Sequence, residues 1–469
     1  MAEEKKVTKM EDIVSFCKRR GFIFPTSEIY GGLANSYSYG PYGTELKNNI
    51  KKMWWKKFVQ KREDIVGMDG PILLNTKLWE ASGHIGGFND ASVDCKKCNK
   101  RFRADHIVKE LTGEDMEGEL EKMTKTLQAG LKCPECGKSD WTEVRNMSQM
   151  FQTEMNSVDG PIYLRPETAG AIFSDYKNVI DSMRVKIPFG IAQIGKAFRN
   201  EIVARNFIFR IREFEQMEIE YFIEPETKWE PLFEKWLDEQ EEFALSIGAK
   251  KEDLRRYEHP KAKLSHYSKK TIDTEYNFPF GFGELFGLAH RGDFDLTQHS
   301  KFSGQKLDYF DAVTNKRYTP HVLEPTVGLD RLILTAICAG YTEEKLEPAR
   351  NASHSDAGGD GERIVMKFPK AVAPIKVAVF PLMKNKPELV AKAKEIFQNL
   401  SEDFMCEFDD NGNVGKRYRR QDEIGTPYCV TVDFDSLEDA TVTVRDRDTM
   451  EQERIEISEL QKYFGEKLK

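Results

Sequence analysis

The stretch QIGKAFRNEIVARNFIFRIREFEQMEIEYFI, residues 193–223, alternates apolar and polar side chains in two runs separated by a loop. Residues two apart share a face of a strand, so Arg199 and Glu201 point the same way. In the second run, one face comprises Met217, Ile219, Tyr221 and Ile223. The opposite face comprises Phe214, Gln216, Glu218 and Glu220. The stretch predicts a hairpin whose polar face is either the floor of a charged cavity or a solvated surface.

The composition indicates a folded protein of two or three domains. The chain has 469 residues, of which 39% are apolar and 32% charged. No apolar run reaches membrane-spanning length, and the start, MAEEKKVTKMEDIV, lacks the apolar stretch of a secretory signal. We therefore expect a soluble cytoplasmic protein without a membrane partner. The net charge of −8 argues against a basic coat for non-specific nucleic-acid binding, so any such contact must use local patches.

On either side of this hairpin, the spacing of apolar residues predicts further helices and strands. The Gly-, Ser- and Tyr-rich segment 31–43 predicts a loop, followed by a helix with one apolar face at Leu46, Ile50, Trp54 and Phe58. The other expected elements are a helix at 229–257, short strands at 277–307, a strand at 321–327 and a helix at 328–339. After the Gly-rich segment 351–362, the order of strands and helix suggests a small α/β domain.

Three segments resemble, in order, motifs 1, 2 and 3 of class II aminoacyl-tRNA synthetases. They are GPYGTELKNNIKKMWW (40–55), FRNE with the following RIREF in the opening stretch, and EPTVGLDRLILTAI (324–337). RPETAG (165–170) and VGKRYRRQDEIGTPYCVTVD (414–433) narrow the resemblance to the homodimeric type of glycyl-tRNA synthetase. The resemblance covers the chain from about Ser15 to its end.

The resemblance implies an α+β fold and an activity. A catalytic domain at 1–365 would hold an antiparallel sheet flanked by helices, with a Cys-rich insert at 90–145 and a helical insert at 225–270. A linker at 351–370 would lead to a mixed α/β anticodon-binding domain at 371–469. The implied reaction is ATP-dependent ligation of glycine to tRNA(Gly) through a glycyl-adenylate, with release of AMP and pyrophosphate, by a homodimer.

The resemblance also implies which residues hold ATP. Arg199 would bind the α-phosphate and Arg331 the γ-phosphate, as the two catalytic residues, and Glu284 would help hold ATP through magnesium. Guanidinium groups and magnesium suit this chemistry because charge builds on the phosphoryl oxygens. The remaining ATP contacts implied are Asn200, Glu201, Phe209, Arg210, Ile211, Arg212, Glu213, Phe214, Leu285, Gly328, Leu329 and Asp330.

Glycine offers only an ammonium, a carboxylate and a small Cα to a binding site. The resemblance places acidic residues around the ammonium, at Glu167, Glu218 and Glu324. Without that resemblance, each would be interpreted as a surface carboxylate. Further implied glycine contacts are Arg103, Phe214, Glu215, Gln216, Met217, Pro325, Thr326, Val327 and Gly328. We hypothesise that steric exclusion of a Cβ rejects alanine, because a pocket discriminates one methylene by only ~1–3 kcal/mol.

Two Cys-x-x-Cys pairs lie in DCKKCNKRF and KCPECGKSD, each followed by Asn or Gly. Cys95, Cys98, Cys133 and Cys136 therefore predict a structural zinc site with four thiolate ligands. The spacer between the pairs is long, so reduced thiols without metal, a degenerate ribbon or separate roles for the two pairs are the alternatives.

Near the C-terminus, Lys416, Arg417, Tyr418, Arg419 and Arg420 form the most suggestive patch for RNA. Basic side chains beside an aromatic ring suit a phosphate backbone and a stacked base, although a solvated charged turn is the alternative. For the whole chain, the alternative function is a catalytically inactive relative that binds nucleic acid. A seryl, threonyl or prolyl enzyme with the same core is a third reading. The presence of every implied ATP-binding residue favours the enzyme.

Overall fold

The computed structural model describes residues 9–203, 205–261, 264, 268–345 and 362–468. A seven-stranded sheet and a five-stranded sheet form the centres of two cores, and smaller sheets surround the first. Among these residues, none of the helices combines the length and the apolar character needed to cross a membrane.

The region before residue 88 packs helices beside one edge of the large sheet. Its elements are α1 (Met10–Arg19), β1 (Ile23–Pro25), β2 (Tyr37–Tyr39), α2 (Pro41–Trp55), β3 (Ile65–Gly67), α3 (Thr76–Ala81) and α4 (His84–Gly87). The segment 31–43, expected to be a loop, contains β2 and the start of α2. Pro41 begins this helix because the first helical position needs no N–H partner. The buried face of α2 is the predicted one, with Leu46, Ile50 and Trp54 in the core.

The Cys-rich insert forms a subdomain with a core of its own. Its elements are β4 (Asn89–Asp94), β5 (Arg101–Arg103), α5 (Ala104–Thr112), α6 (Leu120–Gln128) and β6 (Arg145–Ser148). The three strands pair in the order β5-β4-β6, and Met123, Leu127 and Trp141 are buried beneath them.

The largest group of elements follows between residues 152 and 345. Its elements are β7 (Gln152–Thr153), β8 (Ile162–Tyr163), α7 (Ala169–Met183), β9 (Phe189–Phe198), β10 (Glu213–Ile223), α8 (Glu230–Ser246), β11 (Leu254–Glu258), β12 (Lys270–Phe278), β13 (Gly281–Gly292), α9 (Phe294–Ser303), β14 (Tyr309–Asp311), β15 (Lys316–Tyr318), β16 (His321–Gly328), α10 (Leu329–Gly340) and β17 (Tyr341–Lys345). The large sheet has the order β11-β12-β13-β16-β10-β9-β3, antiparallel except where β3 meets β9. The expected antiparallel sheet flanked by helices is confirmed.

The opening stretch of sequence forms the predicted hairpin of β9 and β10 at the centre of this sheet. Met217, Ile219 and Tyr221 lie in the main hydrophobic core. The polar face is not solvated, because Glu218 and Glu220 are only 2% and 0% exposed. A buried face of this kind requires a cavity or internal partners, since isolated buried charges are costly.

Two predicted segments differ from the structure. The helix expected at 229–257 ends at Ser246, because Gly248 adopts a left-handed φ of 109° and redirects the chain toward β11. The insert at 225–270 therefore also supplies a strand to the large sheet. The short strands expected at 277–307 are one long strand, β13, followed by helix α9. The sequence of α9 hides its helical period because few of its residues are apolar.

The C-terminal elements form the predicted mixed α/β domain. They follow β18 (Glu362–Met366), which pairs with β17 in a separate two-stranded sheet, and are β19 (Val377–Pro381), α11 (Pro387–Ser401), β20 (Cys406–Phe408), α12 (Val414–Ile424), β21 (Tyr428–Val432), α13 (Asp435–Glu438), β22 (Thr441–Asp446), β23 (Gln452–Glu456) and α14 (Leu460–Lys467). The sheet order is β20-β19-β21-β22-β23, parallel across the first three strands and antiparallel beyond. Most of the expected linker, residues 351–361, lies outside the described residues.

A buried ion-pair cluster joins the antiparallel pair of β17 and β18 to this domain. Arg363 of β18 pairs with Glu344 of β17 at 2.6 Å and with Asp422 of α12 at 2.9 Å. Asp422 also pairs with Arg445 of β22 at 2.8 Å. A second contact is the hydrogen bond of 2.9 Å that Tyr42 of α2 donates to Glu407. The C-terminal domain is therefore anchored to the rest of the described structure through charged groups that are out of water.

Candidate active site

A cavity of about 290 Å³ lies over the polar face of β10, between β13, β16 and the first turn of α10. Most of its lining consists of residues that the sequence singled out. They are Glu167, Arg199, Glu201, Phe209, Arg210, Ile211, Phe214, Gln216, Glu218, Glu284, Glu324, Thr326, Val327, Gly328, Asp330 and Arg331. Arginines and aromatic rings occupy one end, and buried carboxyl groups occupy the other.

The arginine end of the cavity lies where β9 and β16 end. Arg199 follows β9, and its guanidinium lies 5.4 Å from the ring centre of Phe214. Arg331 lies in the first turn of α10, 4.5 Å from the ring centre of Phe209. Its Nη1 donates to Glu284, with 2.9 Å to a carboxylate oxygen. Two cations beside flat apolar rings suit a nucleotide, with phosphates on the guanidinium groups and a base between the rings.

Asp330 ties this end to two distant segments. Its carboxylate accepts a hydrogen bond from the hydroxyl of Tyr39 on β2 and another, of 2.9 Å, from the backbone N–H of Glu215 on β10. Glu215 is in turn paired with Lys47 of α2 at 2.6 Å. The motif 1, 2 and 3 segments therefore meet behind Arg331.

Three polar atoms in the cavity wall are buried and have no hydrogen-bond partner within the described parts of the chain. They are Oε2 of Glu201, Oε1 of Gln216 and Oγ1 of Thr326. Buried polar atoms in folded proteins are normally satisfied, so these atoms indicate where a polar ligand would bind.

The carboxyl end is organised around Arg291 of β13. Its Nη1 donates to Glu324 at 2.8 Å, and its other nitrogens donate two bonds of 2.8 Å to Asp295 of α9. Glu218 accepts from the backbone N–H of Thr168 at 3.1 Å and from the Thr168 hydroxyl. An acidic pocket of this kind, with Arg291 in its wall, can take up an ammonium group.

These carboxyl groups have divergent pKa values. Burial would raise the pKa of Glu167, but the imidazole of His84, 3.3 Å away, and the nearby arginines lower it to about 2. Burial and the neighbouring carboxylates raise the pKa of Glu324 to about 8, against the effect of Arg291. Burial and Glu167 also raise the pKa of Glu218. The pocket therefore holds protons when no cation neutralises it.

Arg291 and Ile208 line the cavity but were missed in the sequence. Arg291 lies at the end of the apolar strand β13, and a charged residue in such a run was the available signal. The prediction of several short strands at 277–307 leaves the direction of this side chain undefined.

Nine of the predicted contacts do not line the cavity: Arg103, Asn200, Arg212, Glu213, Glu215, Met217, Leu285, Leu329 and Pro325. Strand alternation explains the placement of Glu215 and Met217, which face away from Gln216 and Glu218. Leu285 and Leu329 belong to the hydrophobic core. Arg103 is held by Asp90 and Asp105 at 3.1 and 2.6 Å, beside a smaller cavity that it shares with Arg210.

The four predicted cysteines meet in the insert. Their sulfur atoms all lie within 4.8 Å of one another, with 3.7 Å between Cys95 and Cys136 and 3.8 Å between Cys98 and Cys133. Tetrahedral zinc–thiolate bonds of ~2.3 Å would separate the sulfur atoms by ~3.8 Å. Asn99 and Gly137 directly follow the two Cys-x-x-Cys pairs and adopt left-handed backbone conformations, with φ angles of 56° and 69°. The donor set therefore fits zinc, and separate roles for the two pairs are excluded by their proximity.

The basic patch predicted for RNA is only partly exposed. It lies on α12, where Arg417 is 1% exposed and donates to backbone carbonyls, including that of Gly412 at 2.7 Å. Tyr418 packs against Phe380, and Arg420 pairs with Asp409 at 2.5 Å. The helical period turns part of the patch inward, so only Lys416 of the five is well exposed.

Two families of known proteins match this chain, one over most of the large sheet and one over the C-terminal sheet. Residues 151–339 match the family described as tRNA synthetase class II core domain (G, H, P, S and T), and residues 376–467 match Anticodon binding domain. The chain is 51% identical to a glycine–tRNA ligase of Clostridium acetobutylicum over the whole of both chains. It is 52% identical to that of Acetivibrio thermocellus over 97% of each chain, and 50% identical to that of Thermobifida fusca over 99% of each.

Proposed function

The chain belongs to the glycine–tRNA ligases, within the class II aminoacyl-tRNA synthetases, and from this premise we propose how its cavity attaches glycine to tRNA(Gly) with ATP. ATP binds at the arginine end and glycine at the carboxyl end. The observation that carries the proposal is the single cavity in which Arg199 and Arg331 face Glu218 and Glu324. An inactive nucleic-acid-binding relative finds no support in these findings.

The first step is adenylate formation. A carboxylate oxygen of glycine attacks the α-phosphorus, the bond from that phosphorus to the bridging oxygen breaks, and pyrophosphate leaves with the electron pair. Arg199 stabilises the charge on the α-phosphoryl oxygens, and Arg331 holds the γ-phosphate. No general base is needed because the glycine carboxylate is already ionised near neutral pH. A terminal ribose hydroxyl of tRNA(Gly) then attacks the glycyl carbonyl and gives its proton to a phosphate oxygen of the adenylate, while the bond from the glycyl carbon to that phosphate breaks and AMP leaves with the electron pair.

Magnesium would be held by Glu284 together with phosphate oxygens. Arg331 lowers the pKa of Glu284, and the carboxyl is 46% exposed at the cavity mouth, which suits a hard cation. When bound, the ion neutralises phosphate charge. Glu284 and Arg331 keep each other oriented until the nucleotide separates them.

Zinc is the proposed occupant of the Cys95, Cys98, Cys133 and Cys136 cluster, in a structural role. Four thiolates leave no open position for a substrate.

A second copy of the chain is the proposed partner of the exposed side of α2. Met53 and Trp55 line a shallow groove with Ile194 of β9, flanked by lysines of α2. Sedimentation velocity of the whole chain should give a dimer mass, and a monomer at micromolar concentration would refute this assembly.

The function is tested by ATP–pyrophosphate exchange with each of the twenty amino acids, followed by charging of tRNA(Gly). We expect exchange with glycine and none above background with the others. Exchange with alanine as fast as with glycine would refute steric exclusion of the Cβ. Exchange with serine, threonine or proline instead of glycine would refute the substrate assignment.

A further inference from the structure

Glu220 is a buried carboxyl group that the proposed mechanism does not use. It lies two residues after Glu218 on β10, and its side chain is 0% exposed. Its carboxyl oxygens do not line the cavity, but one lies with oxygens of Glu218 and Glu324 in a group whose members are all within 4.8 Å. Glu220 is therefore directly behind the pair of carboxyl groups that face the ligand.

Hydrogen bonding distinguishes Glu220 from the acidic groups around it. Glu218 accepts from Thr168, and Glu324 accepts from Arg291 at 2.8 Å. Both carboxyl oxygens of Glu220, in contrast, have no partner anywhere in the described segments. An ionised carboxylate needs donors when it is buried, whereas a neutral carboxylic acid needs only an acceptor for its own O–H.

The surrounding charges favour the neutral form. Three other carboxyl groups and one buried guanidinium act on Glu220: Glu218 on β10, Glu324 on β16, Asp295 on α9 and Arg291 on β13. Further out, Glu167 before α7 acts on Glu218, and the imidazole of His299 on α9 lies near Asp295 and Glu167. Arg291 divides its donors between Asp295 and Glu324, so an ionised Glu220 would add one more anion to an acidic excess.

We propose that Glu220 is a positioning residue that remains a neutral carboxylic acid and donates its O–H to the Glu218–Glu324 pair when glycine is bound. Fixed in this way, the two carboxylates keep their outer oxygens toward the ammonium. The inference rests on the proposed binding of glycine at this end of the cavity. Burial and the charge of Glu324 raise the pKa of Glu220 well above its ordinary value, in agreement with this role.

Two substitutions separate donation from ionisation. Glu220→Gln keeps the shape and an N–H donor but cannot ionise, and Glu220→Met has similar length but no donor. In glycine-dependent exchange, we expect Glu220→Gln to keep the KM for glycine within roughly threefold of the wild type. Glu220→Met should raise that KM roughly 10- to 100-fold, the effect of losing a hydrogen bond to a charged group, with the KM for ATP unchanged.

Infrared difference spectroscopy gives a readout independent of catalysis. The wild-type protein minus Glu220→Gln at neutral pH should show the carbonyl stretch of a neutral carboxylic acid, a band separate from those of carboxylates. This comparison decides the matter if Glu220→Met fails to fold. The proposal is overturned by the absence of that band, by equal loss in the Gln and Met variants, or by an unchanged KM in a folded Met variant. Absent exchange with glycine in the wild type would instead refute the proposed function and leave the infrared result standing.

Discussion

Arg331 and Glu284 face each other at the mouth of the cavity. The contribution of Arg331 to the reaction can be tested by a single substitution. Arg331→Ala removes a charge that would act on the γ-phosphate, so we expect the rate of exchange to fall ~100- to 1,000-fold with little change in the KM for glycine. Arg317→Ala is the matched control, because Arg317 is 62% exposed on β15 and pairs only at the surface. Equal rates for the two variants would exclude the assigned role.

The raised pKa of Glu324 predicts a pH dependence. With a pKa of about 8, this carboxyl is protonated in the empty site and must lose that proton to accept an ammonium. The KM for glycine should therefore fall as pH rises toward about 8, and Glu324→Gln should lose this slope. The same raised pKa has an unfavourable effect on stability as the pH rises. Between 4.5 and about 8 the folded chain retains a proton that the unfolded chain has lost, so this group destabilises the empty protein as pH rises. A KM independent of pH would contradict the assignment.

How far the sequence predicts the site can be judged residue by residue. Alternation in β10 correctly assigned Glu218 to the polar face and Met217 to the core, because that rule depends only on strand geometry. Arg291 could not be placed, because its direction depends on an irregular pairing between β13 and β16 near His290. Arg417 was misjudged because a basic run in a sequence does not show which of its members a helix turns inward.

Among the elements, the cysteine insert allows the most direct test, which is whether it binds zinc. We expect about one zinc ion per purified chain and its loss in Cys98→Ser. The region between β4 and β6 should then become sensitive to limited proteolysis, because zinc binding supplies folding free energy to such small subdomains. Cys406→Ser, in the other domain, is the control and should keep both the metal and the protease resistance. Metal-free wild-type protein with a stable insert would rule out zinc.

For the whole molecule, the link between the two cores depends on Asp422. Asp422→Ala leaves the buried guanidinium groups of Arg363 and Arg445 without their shared anion, so we expect a loss of about 3–5 kcal/mol in stability. Glu395→Ala breaks a surface pair with Lys392 and should cost at most about 1 kcal/mol. Thermal or denaturant unfolding of both variants provides the measurement, and similar midpoints would show that the cluster does not stabilise the junction.

Asp330 has a consequence for how the protein is made. Its side chain receives Tyr39 and the backbone of Glu215, so one carboxylate joins segments separated by almost 300 positions. During synthesis, which proceeds from the N-terminus, the part of the chain that contains β2 emerges long before its partner. The arginine end of the cavity therefore stays incomplete on the ribosome until α10 has left the exit tunnel. A nascent chain interrupted before that point should have no affinity for ATP, however well its hairpin has folded.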